Sequence, residues 1–149
     1  MSIKKQIVVT DWTKNKTKEG DFLKLTLNSD QRRILRGKKI SDCNQVVLLQ
    51  LPRGGKLSDG DVLLTNYDQL FVKIIAQKEK LLEISPKSKL ELIKVAYHLG
   101  NRHLEIEIYK DILLAKKNYI IEDLLKNFNV NFIEIEKKFF PETGAFNHD

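Results

Sequence analysis

The chain has 149 residues, 42% hydrophobic and 31% charged, and its 26 basic residues outweigh 20 acidic ones to give a formal charge of +6. That balance excludes wholesale disorder, and no window approaches the roughly 18–20 apolar residues that a bilayer span requires. A single cysteine, Cys43, excludes an internal disulfide and a multi-thiolate metal site.

The basic excess admits nucleic acid or an acidic protein as a partner. Charges of both signs are interspersed, however, as in Lys78-Glu79-Lys80, and solvated faces account for most of them. The opening MSIKKQIVVTDW carries neither a long apolar core nor a small-residue cleavage site, so a secretory leader is not expected and the chain reads as cytoplasmic.

In chain order, the first half reads as short strands with turn punctuation. Ile7-Val8-Val9 is a β-branched run, and Phe22 to Leu27 alternates, with Leu23, Leu25 and Leu27 on one side. Arg32 to Lys39 is the most basic stretch and reads as a solvated turn or strand edge, where cations discourage edge-to-edge pairing. Val46 to Leu51 is nearly all apolar, which suggests a strand buried on both faces. Pro52-Arg53-Gly54-Gly55 ends it, since proline removes a ladder donor. Asp59-Gly60-Asp61 makes a further turn before Val62-Leu63-Leu64, and Leu70 to Ile75 supplies another strand. Regular short strands predict a small β-sandwich or barrel-like domain over residues 1–76.

The second half changes period. Leu81 to Ile84 is a short strand, and Ser88 with Glu91 three residues later forms a capping-box pattern at the start of a helix. Leu92, Ala96 and Leu99 share one face of it, with Val95 beside them, and Gly100 suits the left-handed position that ends a helix. Leu104 to Tyr109 alternates strictly and predicts a strand, followed by a turn at Lys110-Asp111 and by Ile112 to Ala115. Asn118 is a candidate N-cap for a second helix with Ile121, Leu125 and Phe128 as its buried stripe, and Phe132 to Ile135 closes the module. The order β-α-β-β-α-β predicts a ferredoxin-like domain over residues 77–141, making the chain α+β. The tail, residues 142–149, has no periodicity and is expected to be flexible.

Few residues could carry chemistry. Of the three histidines, His98 and His103 are five apart, a rotation of about 140° on a helix, so they form no chelating pair. His98 lies near the inward stripe and suits packing. His103 lies beyond the helix stop, where a side chain is displayed. One imidazole does not hold a transition metal tightly, although imidazole suits nickel, copper and zinc. A two-fold homodimer brings the same side chain from each copy to the axis. His148, with Asp149 beside it, would supplement such a site, giving a partly open site suited to carriage. The sequence holds no nucleophile elbow, phosphate loop, dinucleotide loop or H-E-x-x-H pattern, so an enzyme is not expected. Cys43 has acidic company, and Glu105 and Glu107 are expected to face solvent. Together with Tyr109 they would line the polar face of the central strand of the sheet, where two carboxylates argue against nucleic acid.

Several motifs then resemble one family in collinear order. Leu51-Pro52-Arg53-Gly54 and Leu57-Ser58-Asp59-Gly60-Asp61-Val62-Leu63 are similar to the L-P-R-G and D-G-D-x-L signatures of the UreE-type urease accessory proteins. His98-Leu99-Gly100-Asn101-Arg102-His103 matches their H-L-G-N-R-H hallmark, and Phe140 to Phe146 resembles the segment leading into their histidine-rich tail. The resemblance implies a nickel metallochaperone with an N-terminal β domain likened to a peptide-binding module. It implies a homodimer formed through the C-terminal domain, and a nickel ion carried between the two copies of His103. Zinc or copper could substitute in vitro. Delivery to the urease apoprotein, with other urease accessory proteins including a GTPase, follows from the same resemblance, and no nucleic acid or membrane partner does. Two departures stand out. Lys117, Asn118 and Tyr119 replace histidines that some members carry before the second helix, so no accessory site is expected. The tail holds one histidine where many members have several, which points to a minimal carrier of about one ion per dimer. The alternative is a non-enzymatic adaptor in urease maturation for which metal is incidental.

Overall fold

The computed structural model describes residues 6–13 and 19–142. The chain divides into two compact units, Met1–Gln77 and Lys78–Asp149.

The first unit is a curled six-stranded sheet. Its strands are β1 (Ile7–Trp12), β2 (Asp21–Leu27), β3 (Arg36–Ile40), β4 (Val46–Gln50), β5 (Val62–Thr65) and β6 (Leu70–Ala76), ordered β2-β6-β5-β1-β4-β3. β1 runs parallel to β4 and β2 parallel to β6, while the remaining pairs are antiparallel. Alternation decides what is buried. Leu25 and Leu27 of β2, Val47 and Leu49 of β4, and Val72 and Ile74 of β6 meet Val9, Leu51, Leu57 and Leu63 in one core. The curl is held where the Asp42 amide donates to the Lys24 carbonyl at 2.8 Å and the Thr26 hydroxyl donates to the Asp42 carboxylate at 2.8 Å.

The D-G-D turn is a stitch. Asp59 accepts the Ala76 amide at 2.7 Å, and Asp61 accepts the Ser58 amide at 2.8 Å and the Trp12 indole N–H at 3.1 Å. Gly60, between them, takes a φ of +87°, where a side chain would be strained. Two expectations are corrected here. β4 buries one face, not both, because Val46 lies outward at 42% exposure while Val47, Leu49 and Leu51 are sealed. Arg32 is not solvated. It is buried in a 3-10 turn, Gln31–Arg33, where the Asn28 carbonyl accepts its side-chain Nε–H at 3.4 Å.

The second unit is ferredoxin-like. It comprises β7 (Lys78–Ser85), α1 (Lys89–Asn101), β8 (Ile106–Ile108), β9 (Leu113–Lys116), α2 (Tyr119–Asn127) and β10 (Asn131–Lys138). The sheet is antiparallel throughout, in the order β10-β7-β9-β8. Ser88 starts α1, its hydroxyl accepting the Glu91 amide at 3.1 Å, while the Glu91 carboxylate reaches back to the Lys87 amide at 3.0 Å. Asn118 caps α2 by accepting the Ile120 amide at 2.8 Å. Val95, Leu99, Ile121 and Leu125 of the helices pack on Leu82, Ile84, Leu113 and Ala115 of the sheet.

The other sheet face carries a second small core, in which Phe139 is fully buried with Leu81 and Leu114. Beyond β10 the chain returns to β8. The Phe140 amide donates to the Glu107 carboxylate at 3.0 Å and the Glu142 amide to the Ile106 carbonyl at 2.7 Å.

That return corrects the reading of this segment. The strand expected over Leu104 to Tyr109 shrinks to Ile106–Ile108, and it lies at the sheet edge instead of the centre. Glu107, expected in solvent, is 8% exposed, because the returning segment covers it. Phe128 is not part of the buried stripe of α2. It caps that helix and is 39% exposed. No helix among the described residues is long and apolar enough to cross a membrane.

Candidate metal centre

Helix α1 does not stop at Gly100. It runs to Asn101, with Arg102 as its cap, and the left-handed residue is His103, at φ +58°. The His103 amide donates to the Gly100 carbonyl at 2.9 Å and the Leu104 amide to the Leu99 carbonyl at 3.0 Å. These are the two bonds of a Schellman cap, which satisfies carbonyls that a helix end leaves unpaired. Leu104 packs against the core that contains Leu99, the apolar contact that accompanies this cap.

Helix α2 ends the same way. Asn129 takes φ +54°, its amide donating to the Lys126 carbonyl at 3.1 Å, and the Val130 amide donates to the Leu125 carbonyl at 3.0 Å. Few side chains take this conformation; asparagine and histidine are among those enriched in it, and asparagine also gains a local hydrogen bond there. The cap thus holds His103 exposed, clear of the core, on a backbone fixed by two hydrogen bonds.

The surroundings add direction. Arg102 folds back, donating from Nη1 to the His98 carbonyl at 3.0 Å, so its charge serves the negative end of the helix. His98 is held in an aromatic stack, its ring 4.8 Å from Phe128 and 5.4 Å edge-on to Tyr97. It lines a cleft with Leu90, Lys94, Phe128 and Val130. Its place in that stack gives His98 a packing role.

Among the described residues, no group of three or more His, Cys, Asp or Glu side chains gathers to hold a metal. His148 lies outside the described residues, as does all of the tail beyond Glu142.

Elsewhere several titratable groups have structural partners. Tyr109 donates its hydroxyl to the Glu107 carboxylate. That bond first, then burial and the carboxylate's charge, pushes Tyr109 up to about 12. Glu105 pairs loosely with Lys116 at 3.9 Å. Lys117 binds Glu134 at 2.8 Å, which raises the lysine and lowers the carboxylate. Cys43 is exposed, with its Sγ 3.3 Å from the Ser41 hydroxyl.

One feature escaped the reading of the sequence. Leu90, Ile93 and Tyr97 stand 61%, 63% and 65% exposed along the outer face of α1. Their spacing of three and four residues was a visible signal, masked by the stronger inward stripe of the same helix.

Known proteins match this chain in sequence over nearly its whole length. The N-terminal domain model of the UreE urease accessory proteins matches residues 6–77, and the C-terminal domain model matches residues 79–149. The chain belongs to the UreE family. A urease accessory protein UreE of Prochlorococcus marinus strain MIT 9215 is 66% identical over 149 residues, covering 100% of both chains. The UreE of Prochlorococcus marinus subsp. pastoris strain PCC 9511 is 66% identical across 100% of this chain and 97% of its own. That of Synechococcus sp. strain WH7805 is 42% identical over 132 residues, 85% of this chain and 75% of its own. In this UreE chain the H-L-G-N-R-H stretch is the last turn of α1 together with its cap, and the D-G-D stretch is the stitch of the first unit.

Proposed function

We propose that the chain is a nickel metallochaperone that carries Ni²⁺ to the urease apoprotein during assembly of its active site. The observation that carries this reading is the exposed imidazole of His103 on a locked left-handed cap. A residue there strains the backbone and buries nothing, which suits a ligand better than a packing element. One imidazole is a weak site, so a second copy of the chain supplies the other His103 across a two-fold axis, and His148 adds a donor from the tail. A site of so few donors, open to solvent, loads and releases its ion easily. Nickel is cargo here and takes part in no reaction, so the protein works without catalysis of its own.

The working partners are the urease apoprotein and the other urease accessory proteins, a GTPase among them, in the cytoplasm, with no nucleic acid or membrane involved. Copper and zinc compete for imidazole in vitro, copper the more strongly by the ordinary order of divalent affinities.

Calorimetric titration with nickel tests the site. His103→Ala should abolish the tightest binding event, and His148→Ala should weaken it modestly. Equal affinity in the wild type and His103→Ala would remove the proposed ligand. Urease activation in cells whose only copy carries His103→Ala separates carrier from adaptor, because an adaptor survives the change.

A further inference from the structure

β8 is the last strand of its sheet, with β9 on one edge and the returning segment 139–142 on the other. The Tyr109 amide donates to the Ile112 carbonyl at 3.0 Å, and Glu107 stands opposite Leu114. Residues 107 and 109 therefore direct their backbone groups at β9, and Ile106 directs its own at the far edge. There the Ile106 carbonyl accepts the Glu142 amide. Three contacts give the direction of the returning segment. Phe139 packs with Leu114 and Ile112, and Ile112 faces Tyr109. The Phe140 amide meets the Glu107 carboxylate, and the Glu142 amide meets the Ile106 carbonyl. As the chain advances from 139 to 142 it passes residues 109, 107 and 106, so it runs antiparallel to β8. The residues that precede β8 are His103, Leu104 and Glu105. The chain therefore leaves Glu142 heading toward His103.

We propose that Glu107 is a positioning residue for the tail. By pinning 140–142 on the outer edge of β8, it sends residues 143–149 along that edge to the imidazole of His103. The inference rests on the nickel reading and adds how His148 is delivered. A buried carboxylate is costly unless it is hydrogen-bonded, and this one holds the Phe140 amide and the Tyr109 hydroxyl. Lengths fit as well. His103 is three residues from Ile106, about 10 Å along an extended chain, and His148 is six residues from Glu142, a reach of about 20 Å. The slack of roughly three residues lets the tail turn in over the cap. A tail launched toward Lys110 would have to double back along all of β8 to bring the same side chain. A short tether of this kind keeps the imidazole at high local concentration and still lets it leave.

Paramagnetic broadening in the metal-free full chain tests the direction. A nitroxide on His148→Cys, with Cys43→Ser to leave one thiol, should broaden the amide resonances of His103 and Leu104 more than those of Lys110 and Asp111, at the other end of β8. Glu142→Pro removes the amide that Ile106 holds and should even out the broadening, whereas Glu142→Ala keeps that amide and should preserve the bias. Glu107→Ala should act as Glu142→Pro does, and Glu107→Gln, which retains an acceptor for the Phe140 amide, should restore the bias. Glu142 is exposed, so its variants decide the matter should Glu107→Ala fail to fold. With His148 in place, Glu142→Pro should weaken nickel binding as much as His148→Ala does, and the two changes together no further. Equal broadening at both ends of β8, or a bias that survives Glu142→Pro, would overturn the inference. The nickel reading fails separately. If the label gathers at His103 while nickel binding is indifferent to His103→Ala, the launch stands and the carrier falls. If the label shows no bias while His103→Ala loses nickel, the carrier stands and the launch falls.

Discussion

His103 and Asn129 occupy the same position in two caps of the same design, at φ +58° and +54°. The left-handed conformation costs a side chain about 1–2 kcal/mol, which asparagine offsets in part by local hydrogen bonding and histidine does not. His103→Gly should therefore stabilise the second unit by about 1 kcal/mol, a rise of roughly 4–8 °C in its midpoint for a unit of this size. The same change should abolish nickel binding, whereas Asn129→Gly should gain less and leave binding intact. Thermal unfolding with and without nickel checks both, and a loss of stability in His103→Gly would show that the cap is not strained. The sequence pointed to Gly100 as the stop because glycine is the usual residue there. What decides the stop is Leu104, whose side chain joins the core containing Leu99 only if the chain turns after Arg102. Residue propensity does not contain that contact.

Tyr109 and Glu107 illustrate the same limit on the edge strand. The raised tyrosine means that the folded state holds its proton more tightly than the unfolded chain. The stability contributed is complete below the ordinary tyrosine range near pH 10 and is lost as pH rises toward about 12. Ultraviolet titration should resolve one tyrosine ionising near pH 12 in the wild type, and Glu107→Ala should move it down. An unchanged curve would show that the hydrogen bond does not set it.

At the scale of elements, periodicity carried the order of strands and helices well, because burial of one face imposes a period of 2 or 3.6 on the side chains. It failed at β8 for a definable reason. Glu105, Glu107 and Tyr109 alternate as a solvent face would, but the residues that cover that face lie over thirty positions later in the chain. Phe139 is fully buried against Leu81 and Leu114, and the Phe140 amide satisfies Glu107. No local window contains that return. Phe139→Ala should cost about 3–5 kcal/mol of the second unit's stability, the range for emptying a buried aromatic site. Urea denaturation would measure it, and a change below about 1 kcal/mol would mean that the small core is not a packing element.

For the whole molecule, the readable and the unreadable part at the same surface. The inward stripe of α1 was legible because its partners belong to the same chain. The outward stripe of Leu90, Ile93 and Tyr97 was not, because the stronger inward period of the same helix masks its spacing. If each copy contributes His103 to one ion, metal binding and dimerisation are linked, and each must strengthen the other by the same factor. Adding nickel should then tighten the dimer roughly 5- to 150-fold, the usual range of such coupling, and a chelator should reverse it. His103→Ala should keep the metal-free dimerisation constant of the wild type and lose all dependence on nickel, since only the shared ligand is removed. Sedimentation equilibrium with and without nickel reads both constants. A wild-type dimer indifferent to nickel, with the ion still bound at His103, would mean that each copy holds its own ion, and the shared site would have to be given up.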